Sequence, residues 1–82
     1  MNSENHEHEV DAELDARGFL CPLPVLKLRK RIAALNPSQT IRITADDPAA
    51  VVDVPHFCAE QGHKILSKTV NGALSTFIIE KS

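Results

Sequence analysis

Apolar residues recur at every second position in some stretches of this chain and at every third or fourth in others, and the order of those stretches leaves few folds open. From Val10, one face reads Val10, Ala12, Leu14 and Ala16, while Asp11, Glu13, Asp15 and Arg17 take the other. That is the pattern of a half-buried strand. Gly18 releases the chain, and Phe19-Leu20-Cys21-Pro22-Leu23-Pro24 leads into a segment of a different period. Val25, Leu28, Ile32 and Leu35 recur at spacings of three and four, one apolar stripe of a helix. Lys27, Lys30 and Arg31 fall opposite the stripe, with Arg29 on its flank. Asn36-Pro37 stops the helix, because proline disfavours helical backbone at the residue before it.

Alternation then returns, with Ile41, Ile43 and Ala45 on one face and Thr40, Arg42 and Thr44 on the other. Asp46-Asp47-Pro48 opens a second helix, with Asp47 as its cap and Pro48 at the first helical position. Val51, Val54 and Cys58 form its inward stripe; Asp53, His56 and Glu60 face water. Pro55 is expected to kink or divide it, and Gly62 to end it in the left-handed conformation. Two further strands, 64–70 and 73–80, are joined at Asn71-Gly72, a strong hairpin signal.

The order is β-α-β-α-β-β. A helix joining the first two strands makes them parallel through a right-handed crossover, and the hairpin makes the last two antiparallel. The simplest solution is an α/β two-layer sandwich: a mixed four-stranded sheet with two helices packed on one face. Residues 1–9 read as a flexible acidic tail, and 10–82 as the single domain. His6 and His8 alternate with acids in that tail, and no metal site is assigned to them.

Eighty-two residues suffice for one domain but bury only about 60–65% of the unfolded surface. A deep active-site cavity is not expected, so chemistry belongs near the surface. A net charge of −2, with no Trp or Tyr, argues against a nucleic-acid binder. No apolar run approaches the ~20 residues needed to cross a membrane. The acidic N-terminus does not read as a signal peptide, so a cytoplasmic location is expected, where paired disulfides are rare.

The two cysteines differ in context. Cys58 lies on an apolar stripe and reads as a core residue. Cys21 falls at the cap position of the first helix, with Pro22 and Pro24 at its first and third positions. The prolines stiffen the turn and leave the amides of Cys21 and Leu23 as the free donors beside the sulfur. The positive helix end favours an anion, so the thiol pKa is expected to fall towards neutrality, helped by Arg17, Lys27 and Lys30. Leu23 and Leu26 project away from the apolar stripe next to the thiol, which reads as a docking patch for another protein. A structural Cys-Pro pair at a helix start is the plain alternative. His63, just after Gly62, reads as a helix-end residue.

LeuAspAlaArgGly (14–18), CysProLeuPro (21–24), AlaAspAspPro (45–48), AspValProHisPheCys (53–58) and Gly62-His63 together resemble the TusA family of sulfur-carrier proteins, also called SirA-like or YhhP-like. The likeness runs from about residue 10 to 80. It implies a β-α-β-α-β-β sandwich like the C-terminal domain of a translation initiation factor. It implies that Cys21, in the family's CPxP motif, carries sulfur as a persulfide, with no cofactor. The implied partners are a cysteine desulfurase or rhodanese as donor and a DsrE-like or other relay protein as acceptor. The implied outlets are tRNA 2-thiouridine synthesis, molybdenum-cofactor assembly, or selenium or sulfur-oxidation pathways. Where the tRNA-thiolating member has an acid between the two prolines, this chain has Leu23, so its docking patch is more apolar.

Gly18, Pro22 and Pro24 thus shape the site around Cys21, and Arg17, Leu23, Leu26, Lys27, Arg29 and Lys30 are the docking candidates. On this reading the Cys21 thiolate attacks the outer sulfur of a donor persulfide, a pre-ionised thiol needs no general base, and the protein is a monomer. Two other classes stay open: a redox or regulatory thiol protein, and a nucleic-acid-binding module by fold analogy alone.

Overall fold

The structure, a computed structural model, describes residues 10–82. The expected tail 1–9, with His6 and His8, lies outside the described residues. The elements are β1 (Ala12–Asp15), α1 (Leu23–Ala33), β2 (Thr40–Ala45), α2 (Ala50–Gln61), β3 (Lys64–Asn71) and β4 (Leu74–Glu80). They follow the expected order. The strands form one sheet in the order β1-β2-β4-β3. β1 runs parallel to β2, pairing Leu14 with Ile43, and β4 is antiparallel to both β2 and β3.

The alternation in the sequence becomes the two faces of this sheet. Ile41, Ile43, Ala45, Phe77 and Ile79 of the central strands are fully buried beneath the helices. Leu28 and Ile32 of α1 meet them with Ala50, Val54, Phe57 and Cys58 of α2. Each fully buried leucine or isoleucine contributes about 1.5–3 kcal/mol relative to exposure. Val25 and Leu35 are only partly buried at the edge of this core. The other face is mostly polar: the register lines up Glu13, Arg42 and Ser67 around the buried Ile78 in one row, and Asp15, Thr44, Thr76 and Thr69 in the next. Two layers, with one sheet face open, is the arrangement the sequence predicts.

Several local expectations are corrected. The two turn residues of the hairpin are Gly72 and Ala73, because Asn71 pairs with Leu74 as part of the ladder. Gly72 takes a φ of 63°, and a positive φ at the first turn position calls for glycine. Pro48 does not start α2. It lies in a turn, and the helix begins at Ala50 with Ala49 as its cap residue. Pro55 does not divide α2, which runs through it to Gln61. The inward stripe of α2 is Ala50, Val54, Phe57 and Cys58, with Val51 only partly buried. Gly62 ends α2 with a φ of 79°, as expected.

Candidate functional site

Parallel pairing of β1 and β2 decides what meets at the site. Both strands end at the same side of the sheet, so the loop leaving β1 (residues 16–22) lies against the loop leaving β2 (residues 46–49). Ligand sites of α/β sheets gather at the carboxyl ends of parallel strands for this reason. The Ala16 N–H extends the ladder to the Thr44 carbonyl at 2.8 Å. Beyond it, Gly18 turns the chain with a φ of 85°. A Cβ there would touch nothing within 4 Å, so glycine is required by backbone conformation rather than by space. The Gly18 N–H donates to Asp46 Oδ1 at 3.0 Å.

Cys21 stands at the end of this loop, exposed and free of any disulfide. It is not the cap of α1. Pro22 is the cap residue, and Leu23 and Pro24 are the first two helical positions. The Cys21–Pro22 peptide bond is cis. Neither expected free donor is free. The Leu23 N–H closes a turn onto the Leu20 carbonyl at 2.8 Å, and the Cys21 N–H donates to Asp47 Oδ2.

Asp47 is buried, and its carboxylate ties two segments together. One oxygen takes the Cys21 N–H, and the other takes the Ala49 N–H at 3.2 Å. Asp47 is therefore not the cap of α2, a place Ala49 takes without a side-chain cap bond; it holds the turn before the helix and also fixes the cysteine. Asp53, expected to face water, turns instead to the thiol: Cys21 Sγ donates to its Oδ2 at 3.1 Å. That bond is the main cause that pushes the Cys21 thiol pKa up, followed by partial desolvation and the negative charges of Asp53 and Asp47. The expected fall towards neutrality is thus overturned. The Asp53 carboxylate at the sulfur, with the charge of Asp47 nearby, outweighs a helix end whose nearest amides are already engaged, since that end is worth only about 0.3–1 kcal/mol to an exposed anion.

The expected basic contribution is also spent elsewhere. Arg17 forms a two-point ion pair with Asp15, at 2.9 Å on each oxygen, and holds that carboxyl down to about 2. Lys27 lies 4.4 Å from the centre of the Phe19 ring, a cation–π contact. Arg29 reaches over Phe57 and lines a groove between α1 and α2 with Pro22, Val25, Asp53, His56 and Glu60. Lys30 is exposed in the last turn of α1.

Leu23 and Leu26 are exposed as expected, and Leu20 joins them at 70% exposure. Three leucines thus surround the loop and first turn that hold the thiol. Sequence pattern assigns Asp47 only a capping role, Asp53 only a place facing water and Leu20 no role, so none of the three is expected at the thiol. Asp53 lies 32 residues from Cys21, and only the fold brings them together. Cys58 is buried, with its thiol pushed up to about 11 by desolvation, as a core residue should be. His63 meets the Phe57 ring at a tilt of 46° and accepts the Ser82 N–H at Nδ1, 3.1 Å away. It sits beyond the far end of α2, which runs about 12 Å past Asp53, and its partners are Phe57 and Ser82 rather than Cys21. Among the described residues no cluster of three or more metal-ligating side chains occurs, and no helix is long and apolar enough to cross a membrane.

The sequence model of the family described as Sulfurtransferase TusA matches residues 12–81. The chain belongs to the TusA family. Its fold is shared with a SirA-like protein from Desulfitobacterium hafniense, at a TM-score of 0.74 and 18% identity, over 84% of this chain and 95% of that one. TusA membership supports a role as a sulfur carrier, with sulfur transferred through a cysteine. Of the two cysteines in this TusA-family chain, Cys21 is the exposed one.

Proposed function

We propose that the protein is a carrier-type sulfurtransferase of the cytoplasm that takes up sulfane sulfur as a persulfide on Cys21 and relays it to another protein. The observation that carries this reading is the exposed thiol held on a fixed loop, beside Leu20, Leu23 and Leu26, in a chain of this family. A sulfur acceptor must present its thiol to another protein's persulfide and then present the product again. A thiol beside an apolar rim meets both needs, whereas a deep pocket would block the second.

The donor is a cysteine desulfurase or a rhodanese, and the acceptor a DsrE-like or similar relay protein. The onward route is tRNA 2-thiouridine synthesis, molybdenum-cofactor assembly or another sulfur-trafficking path. Lys27, Arg29 and Lys30 add positive charge along α1 for an acidic partner surface, and Arg17 stands at the rim of the same loop. Sulfur exchange follows the course of thiol–disulfide exchange, an attack of one sulfur on another with a thiolate leaving. The test is mass spectrometry after incubation with a cysteine desulfurase and cysteine. The peptide bearing Cys21 gains the mass of one sulfur atom, loses it on reduction, and gains nothing in Cys21→Ser. A mixed disulfide with the donor as the stable product would instead mark a redox thiol protein.

A further inference from the structure

A carrier needs a nucleophilic sulfur, yet the hydrogen of the Cys21 thiol is already committed to a carboxylate. Asp53 Oδ2 lies 3.1 Å from Sγ, on the first turn of α2. The other end of the cysteine is pinned, because its N–H is held by buried Asp47. Thiol and carboxylate therefore face one another from two anchored segments, within the reach a proton transfer requires. We propose that Asp53 is the base for sulfur acceptance, taking the Cys21 proton as Sγ attacks the outer sulfur of the donor persulfide. The assignment rests on the reading of Cys21 as the sulfur-bearing residue.

The step balances without an oxidant or reductant. A lone pair of Cys21 Sγ forms the new S–S bond to the outer sulfur of R–S–SH. The donor's own S–S bond breaks, and its electron pair leaves on the inner sulfur. The Cys21 proton passes to Asp53 and from there to the departing thiolate. The products are R–SH and Cys21–S–SH.

Other charged groups surround this pair. Asp47 and Asp46 come from the β2–α2 loop, each holding backbone N–H groups. His56 and Glu60, paired at 3.3 Å, come from α2, and Arg29 from α1 lines the same groove. Arg17, from the β1–α1 loop, is bound to Asp15. His56 is the imidazole that lines the same groove as Asp53, so it supplies the control.

The experiment follows the loading of Cys21 in the full chain by glutathione persulfide, a small donor that needs no docking surface, over a range of pH. Donor titration is common to all variants, so the readout is the ratio of variant to wild-type rates. A base already in contact with the proton keeps wild type reactive below the thiol pKa, whereas a sulfur without one follows its thiolate fraction. Asp53→Asn should therefore load about tenfold more slowly than wild type near pH 6, with the deficit closing as pH rises. Asp53→Glu should restore part of the rate, and His56→Gln should keep the wild-type profile.

A carboxylate that merely repels the thiolate predicts the opposite sign, with Asp53→Asn loading faster. That result, superimposed profiles, or the steep profile appearing in His56→Gln would overturn the assignment. If Cys21 loads in wild type and Asp53→Asn with the same profile, only the base is lost. If wild type takes up no sulfur on Cys21, the carrier reading falls and the base with it.

Discussion

Cys21 is held from both ends by acids, Asp47 at its backbone and Asp53 at its sulfur. Removing the Asp47 carboxylate leaves the Cys21 and Ala49 amides without their acceptor. Asp47→Ala should cost about 1–3 kcal/mol, read as a lower urea midpoint at unchanged slope, and Asp47→Asn should cost less because one acceptor oxygen remains. Cys58 supplies the contrasting thiol. Its folded pKa of about 11 lies above the ordinary value of 9.0, so the folded state keeps the proton longer than the unfolded one. Its stabilising contribution is therefore full below pH 9 and is lost as pH rises through about 11. Cys58→Ala cannot ionise, so the stability gap between it and wild type should narrow over that window in urea melts. In native protein at neutral pH a maleimide should label Cys21 and spare Cys58. The two cysteine environments were legible from the residues, since one lies on an apolar stripe and the other at a helix start. The electrostatics at Cys21 were not, because a helix end and basic neighbours can be counted along the chain, while Asp53 enters only through packing of α2 beside the β1–α1 loop.

At the level of elements, periodicity carried the reading of every strand and helix, and all but β3 bury one face; β3, at the sheet edge, has only Ile65 half-buried. The ends were less legible. Proline and aspartate mark where a helix can start, but Pro22 and Pro48 each fall one residue or more before the first helical turn. Asp47 explains the second displacement, since its side chain and carbonyl turn the chain through Pro48 and Ala49 before α2 begins. Pro55 leaves the Val51 carbonyl without its helical donor, so Pro55→Ala should raise stability by about 1–3 kcal/mol, measured by denaturant melts. On α1 the two faces should separate cleanly. Leu28, fully buried, should cost about 2–5 kcal/mol as Leu28→Ala. Leu23→Ala and Leu26→Ala, half-exposed, should change stability by no more than about 0.5 kcal/mol. Those two should slow sulfur transfer from a protein donor while leaving loading by a small persulfide intact, if the leucines form the docking surface.

The whole molecule has one helix-covered sheet face and one open face, and its exposed thiol lies at the end where the two parallel strands finish. That is where an 82-residue chain can place a reactive group without spending core, because strand ends and helix starts already form exposed loops. The fold class was legible because few topologies satisfy β-α-β-α-β-β with two amphipathic helices to cover one sheet face. The site was legible as a place, but not as an acid-flanked thiol. Cyanide, which removes sulfane sulfur as thiocyanate and leaves ordinary disulfide sulfur behind, tests the central claim most directly. After loading by a desulfurase and removal of the donor, the wild-type chain and Cys58→Ser should each release about one thiocyanate per chain, and Cys21→Ser none. Thiocyanate released undiminished from Cys21→Ser, or none from loaded wild type, would contradict it.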